Sequence, residues 1–439
     1  MITSIKIALI FLALSVSGED EVCTKHKNFN ICKISDTLTR VTRDYTLSQR
    51  FLLETSESIT IGPKAFSNSD ITALDINLRT DGLYHRRPSN SLSLSQDSFA
   101  ELPTLTSLSI KNAYINSTGN SLSPLGALVR LSLIGCGIED VPTDVLKDLP
   151  NLVDLSLRDN RLIAVRSNAF INVTNLKNLD LSRNEITDLE PGCFSGLDML
   201  ETLELSMNSF AARSGVLRGL TGLKKLVLLN AFNDDGFQPV ILQDVPTVTA
   251  LHLSFNKLAS LQTTMFDSVP SLRELRLNGN HLLNVPDGLF RKLNSLENVD
   301  LEENAIQTIE AGAFSGLNLT TLDLSLNNIQ KIRSETFRGL TINALILRKN
   351  QIDELEREAF NGLSADQIDL SQNSLEKVDA EDFSGLKVEI LDLSANRIEE
   401  IASGAFNFTE IKQLFLYINP VNADGRAGWG LSDSVEVLG

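Results

Sequence analysis

The chain is poor in the residues that most enzymes and metal centres draw on. Among its 439 residues are only four histidines, four cysteines, four methionines, four tyrosines and one tryptophan. The histidines, His26, His85, His252 and His281, form no H-E-x-x-H pair and stand at no close metal-ligand spacing. No G-x-S-x-G stretch offers a nucleophile elbow. Gly425, Gly428 and Gly430 lack the strand-to-helix setting that cradles a phosphate. The reading is a non-enzyme with no cofactor and no metal. Long hydrophobic runs are missing too. Residues 7–14 are apolar, but a membrane-spanning helix takes ~20 residues. With Lys6 before that run and Ser15-Val-Ser-Gly18 after it, residues 1–18 read as a secretory signal peptide. The last nine residues lack the hydrophobic end of a lipid-anchor signal. The expectation is a secreted, extracellular product without a membrane anchor. Positive charge is in the minority, 39 Lys and Arg against 56 Asp and Glu, which leaves a formal charge of −17. That balance disfavours nucleic acid and anionic membranes as partners.

One pattern recurs through most of the chain. Leu152-Val-Asp-Leu155-Ser-Leu157-Arg-Asp-Asn160 matches Leu176-Lys-Asn-Leu179-Asp-Leu181-Ser-Arg-Asn184 and Val388-Glu-Ile-Leu391-Asp-Leu393-Ser-Ala-Asn396. The asparagine falls at 160, 184, 208, 256, 280, 304, 327, 350, 373, 396 and 419, with Ala231 in the remaining slot. Further upstream the register places Cys136, Ala113 and Arg79. Alternation in L-x-L puts both leucines on one face of a short strand. An asparagine amide has two donors and an acceptor with which to satisfy backbone groups where the chain turns. A phenylalanine column follows the same period: Phe170, Phe194, Phe266, Phe290, Phe314, Phe337, Phe360, Phe383 and Phe406. No such unit buries enough apolar surface to fold alone, so neighbours must stabilise one another.

The pattern L-x-x-L-x-L-x-x-N at a period of 23 to 25 residues resembles the extracellular leucine-rich-repeat family, as in Toll-type ectodomains, chaoptin- and connectin-like proteins and soluble insect immune proteins. The resemblance implies an α/β leucine-rich-repeat solenoid, a horseshoe with a parallel β-sheet on its concave face and about fifteen turns. The expected organisation is a signal peptide over 1–18, an N-terminal cap region over 19–58, the solenoid over 59–418 and a reduced C-terminal cap over 419–439. Relatives begin with a cysteine-bearing cap, so Cys23 and Cys32 are expected to pair, leaving Cys136 and Cys193 free and buried. In relatives Asn-Pro opens a C-terminal cap with two cysteines and a Trp. Here Asn419-Pro420 and Trp429 are present, while Ala423 and Gly425 stand where the cysteines would align. Trp429 is expected to pack near Phe415 and Leu416, and the weakly covered last strand offers an edge for dimerisation.

Two stretches break the period. Arg79 to Ala113 spans 34 residues and includes a loop with His85, Arg86 and Arg87, read as a solvated loop or an anion-contacting finger. Around Ala231, the sequence Phe232-Asn-Asp-Asp-Gly-Phe237 replaces the asparagine turn, read as a local bulge or a partner contact. The residues between the strand leucines face outward, and most are polar. In the middle, Met207, Val227, Leu229 and Phe255 bring apolar side chains, flanked by His252 and Arg276, and form the candidate ligand-binding patch. Acceptor sequons for N-glycosylation occur at Asn116, Asn172, Asn318 and Asn407, none in an outward strand position. The expected function is recognition of an extracellular protein or other large ligand, in innate immunity or signalling. A cell-adhesion or matrix role is the alternative.

Overall fold

The computed structural model describes residues 21–26, 29–43, 49–67, 69–79, 88–117 and 120–439. The expected signal peptide and the loop bearing His85, Arg86 and Arg87 lie outside the described residues. The chain divides into two units, Met1–Leu223 and Lys224–Gly439.

The first unit opens with an antiparallel arrangement of Val22–His26, Phe29–Ile34 and Thr37–Arg43, in which Cys23 faces Cys32 and the two form a disulfide. Parallel pairing begins at Arg50–Thr55. It continues one strand per turn through Ala73–Leu78, Ser107–Lys111, Arg130–Ile134, Asp154–Ser156, Asn178–Asp180 and Thr202–Glu204. The early turns carry a second parallel sheet, in which Thr37–Arg43 pairs with Ile59–Ile61, then Asn90–Leu94, then Ala113–Ser117. Alternation in Arg50–Thr55 sends Phe51 and Leu53 inward, where Phe51 meets Phe29 at 5.0 Å between ring centroids. The amide of Asn90 donates to the carbonyls of Ser56 and Arg79.

The second unit repeats the coil with Lys225–Val227, Ala250–His252, Glu274–Arg276, Asn298–Asp300, Asn318–Asp323, Thr341–Ile346, Ser364–Asp369, Lys387–Asp392, Glu410–Phe415 and Glu436–Leu438, again all parallel. The five strands from Asn318–Asp323 to Glu410–Phe415 lengthen to six residues. The cause is legible in the sequence: Leu293-x-x-Leu296 closes a turn through the Leu296 N–H to Leu293 carbonyl bond, whereas Leu317-Asn-Leu319 is one residue shorter and runs straight into the strand. The same missing residue shortens the period from 24 to 23. Phenylalanines 290, 314, 337, 360, 383 and 406 stack with centroids 5.4–6.2 Å apart.

Two ladders hold successive turns together. Asn184 donates to the carbonyls of Leu157 in the preceding turn and Leu181 in its own, and its oxygen accepts the N–H of Leu162. The same set recurs at Asn327 and Asn396. Cys136 occupies such a slot with its Sγ 3.5 Å from the carbonyls of Ile110 and Ile134. The second ladder lies one residue earlier. Asp159, Arg183, Phe255, Gly279, Glu303, Leu326, Lys349, Gln372 and Ala395 all adopt positive φ, and each donates its N–H to a carbonyl of the following turn.

Among the described residues the one-per-turn strands number seven in the first unit, from Arg50–Thr55 to Thr202–Glu204, and ten in the second, two more in all than the fifteen turns expected. One addition is Arg50–Thr55, inside the expected cap region. The other lies at the end. The expected reduced C-terminal cap forms a further turn, with a 3-10 helix at Ala423–Gly428 and a strand at Glu436–Leu438 that pairs with Glu410–Phe415. Trp429 stands 23 residues after Phe406 and continues the phenylalanine column. It is 5% exposed, and its carbonyl accepts the Phe406 N–H at 2.8 Å. Its register is that of a repeat position, and in the same added turn the Leu438 carbonyl accepts the Leu416 N–H. The edge of Glu410–Phe415 that was expected to be open is therefore occupied.

Candidate functional site

The solvent side of the strands in the second unit gathers the side chains that face outward between the buried leucines. At one end of this face, His252 Nε2 lies 3.0 Å from Glu274 Oε1, and Arg276 Nε donates to the same oxygen at 2.7 Å. Register places His252 directly beside Arg276 on the next strand. Burial, reinforced by the Arg276 charge, lowers the pKa of His252 below its ordinary value, although Glu274 pulls the other way. Burial likewise opposes ionisation of Glu274, but His252 and Arg276 outweigh it and hold that carboxyl below the usual range. Phe255 follows with positive φ and 43% of its surface exposed. Its ring lies on the backbone of Gly279, where an added Cβ would come within 2.4 Å of the ring. Only glycine leaves room for that stacking, and Gly279 has positive φ as well.

Further along the face, Asp300, Asp323, Asp369 and Asp392 stand in one column, interrupted by Ile346. Each accepts the backbone N–H of the residue two positions on: Glu302 at 3.1 Å, Ser325 and Ser371 at 2.9 Å, and Ser394 at 2.8 Å. These carboxylates therefore close the chain reversal at the strand end and still border solvent. Burial raises the pKa of Asp300, with Asp323 and Glu302 adding to it against the Glu302 N–H bond. Two shallow hollows share Asp323. One of about 490 Å³ holds Glu274, Arg276 and Asp300, and one of about 310 Å³ holds Ile346, Arg348 and Asp369. Phe415 and Tyr417 stack at 6.2 Å at the far end.

The leucine-rich-repeat family model matches residues 150–210, and overlapping segments match 246–297, 270–329, 297–342, 318–365 and 341–398. The chain is a leucine-rich-repeat protein. No curated protein sequence matches it. Solved structures show the same fold at low sequence identity. In the Toll–Spätzle complex of Drosophila, the match has 18% identity over 93% of this chain and 68% of that one, with a TM-score of 0.53. A leucine-rich-repeat protein of Leptospira interrogans is 22% identical over 78% of this chain and 91% of its own, with a TM-score of 0.54. The chain in the complex of TLR13 with the RNA ssRNA13 is 17% identical over 87% and 70% respectively, with a TM-score of 0.57.

Within this leucine-rich-repeat chain the expected apolar patch is corrected. Met207 belongs to the first unit and is half-buried; the other five residues belong to the second. Val227 and His252 are each only 8% exposed, and Leu229 is half-buried. His252 is covered because the long side chains of Glu274 and Arg276 reach across it. Phe255 and Arg276 remain as exposed contacts. The signal of the aspartate column in the sequence is the recurrent Asp-x-Ser spacing of Asp323, Asp369 and Asp392. The sequence holds no signal for the Phe255–Gly279 stacking, since the two residues are 24 apart and no motif links them.

Cys136 and Cys193 are free and buried, and burial pushes each thiol up to about 12. The side chains of Asn116, Asn172, Asn318 and Asn407 are all exposed. The one cluster of three metal-ligating side chains among the described residues is Glu21, Cys23 and Cys32, and its two cysteines are the disulfide.

Proposed function

We propose that the chain is a secreted recognition protein, acting in innate immunity or extracellular signalling, that binds a protein ligand on the strand face of its second unit. The observation that carries this reading is the exposed ring of Phe255 on the backbone of Gly279, beside Arg276 and the aspartate column. The positive φ is common to this slot in successive turns, so what sets Phe255 apart is a large exposed ring beside charges, a combination typical of contact surfaces. The similar Toll structure is a complex with Spätzle, which supports a protein ligand. The TLR13 structure is a complex with RNA. Here the carboxylates of Asp300, Asp323, Asp369 and Asp392 on the same face would repel phosphates, which favours protein over nucleic acid. Glycans on Asn172 and Asn407 would sit in turns away from the strands of this face, while one on Asn318 would sit at the start of the strand Asn318–Asp323.

The test compares two variants. Asp tolerates positive φ, so Phe255→Asp combined with Arg276→Glu alters the face with little backbone penalty. A control, Arg338→Glu, changes an exposed charge away from the strands. Proteins retained from extracellular fluid by the wild type and the control, and lost with the double variant, support the reading. An identical retained set for all three overturns it.

A further inference from the structure

The turn after Ala231 is the most irregular in the second unit, and its chemistry has no part in the strand face. In regular turns an apolar residue two after the asparagine packs inward, as Leu258 does after Asn256. After Ala231 that place holds Asn233, and the chain reverses instead. Asn233 accepts the Asp235 N–H through its side chain at 3.1 Å and the Gly236 N–H through its carbonyl at 3.0 Å, with Gly236 at positive φ. The reversal brings Phe237 back inward, 6% exposed and 5.6 Å from the ring of Phe232. Pro239–Asp244 then forms a 3-10 helix.

The bulge leaves a cleft of about 360 Å³ between residues 230–239 and the next turn, residues 256–265. That volume falls in the range of small-ligand sites, ~300–1,000 Å³. Its apolar lining comes from Phe232 and Phe237 on one wall and the buried Leu258 and Met265 on the other. Charged groups are confined to exposed lining residues: Asp234 and Asp235 on the bulge and Lys257 on the next turn. Two carboxylates against one ammonium leave the mouth net negative.

We propose that this cleft is a second binding site, distinct from the strand face, for an apolar group carrying one positive charge. The apolar body seats against Phe237, Leu258 and Met265, and its ammonium or guanidinium faces Asp234 and Asp235. A free amine and the lysine of an aromatic-containing peptide present the same chemistry, and the two are separated by direct titration. The probes are phenethylammonium, the capped peptide acetyl-Phe-Lys-amide, and phenylacetate as the matched anion. Each is titrated into the full chain and followed by saturation-transfer NMR.

Saturable binding is expected for the two cations and not for phenylacetate, and the tighter cation names the source. Asp234→Asn with Asp235→Asn should weaken cation binding at least fivefold. Lys257→Gln should strengthen it, because a repelling charge is removed. All three positions are exposed, so circular dichroism of the variants should match the wild type. The proposal is overturned if neither cation saturates, if phenylacetate binds as well as phenethylammonium, or if the double Asn variant binds cations unchanged. Loss of ligand retention on Phe255→Asp with Arg276→Glu does not bear on it, so the two readings fail separately.

Discussion

A non-glycine residue in the left-handed backbone region is strained by ~1–2 kcal/mol, and Phe255 holds that strain with its ring half in solvent. Phe255→Gly removes both the strain and the contact with Gly279. The two changes offset, so urea unfolding should shift by less than about 1 kcal/mol, while ligand retention falls. A stability loss several times larger would show that the ring serves the fold instead. Asp382 makes the opposite case. It occupies the small-residue position before Phe383 that is Ala in the turns of Phe314, Phe360 and Phe406, and it is 6% exposed. Burial pushes its carboxyl up to about 6 from an ordinary 3.8, despite the bond it accepts from the Asp379 N–H. The folded state thus binds this proton more tightly than the unfolded state. The associated stabilisation is complete below pH 3.8 and is lost as pH rises through 6. Asp382→Asn keeps an acceptor for Asp379 without the charge. It should raise unfolding free energy at pH 7.5 by ~1–3 kcal/mol, and calorimetry should show the advantage vanishing towards pH 4.

An asparagine slot contributes according to how dry it is. Asn327 shares its two N–H groups among the carbonyls of Leu301, Leu324 and Ser325 and accepts the N–H of Ile306, at 4% exposure. Asn327→Ala leaves these groups unsatisfied without water and should cost on the order of 2–4 kcal/mol in denaturant unfolding. Asn419→Ala breaks the equivalent bonds to Leu393, Leu416 and Ile398 at a half-buried site, where water can replace them, and should cost about half as much. Both slots were legible in the sequence because the amide's chemistry demands one residue type. The neighbouring ladder of positive φ was not, because the backbone imposes it on Asp159, Arg183, Phe255 and Ile418 alike and leaves no shared side chain to read. The last turn went unread for a related reason: Asn419-Pro420 suggests the opening of a cap, whereas the spacing of Trp429 from Phe406 marks a repeat. The second sheet of the early turns went unseen because Ile59–Ile61 and Asn90–Leu94 are too short and too differently spaced to announce themselves. Of the candidate site, the outward positions were readable from strand alternation. Which of them stay exposed was not, since that depends on the reach of Glu274 and Arg276 across a neighbouring strand.

Turns that contact only their neighbours make stability a sum along the chain, so damage stays local. Trp429→Ala should speed hydrogen exchange at the amides of Phe406 and Leu416, which donate to Trp429 and Leu438, by at least tenfold. Exchange in Val22–His26 and Phe29–Ile34, tied by their disulfide, should be unchanged. A global change would show longer-range coupling. Charge acts on the entire chain at once. With −17 formal charges, raising NaCl from 20 to 300 mM should increase the melting temperature by a few degrees as repulsion is screened. The regularity of the late turns has a genetic corollary. Pairing runs Asn318 to Thr341 to Ser364 to Lys387 to Glu410 in equal steps of 23 residues. A duplication or deletion of one such block by unequal crossing-over would return every leucine, asparagine and phenylalanine to a position of the same kind. The molecule could change copy number there without a frustrated intermediate, lengthening or shortening its strand face while its folding rules stay the same.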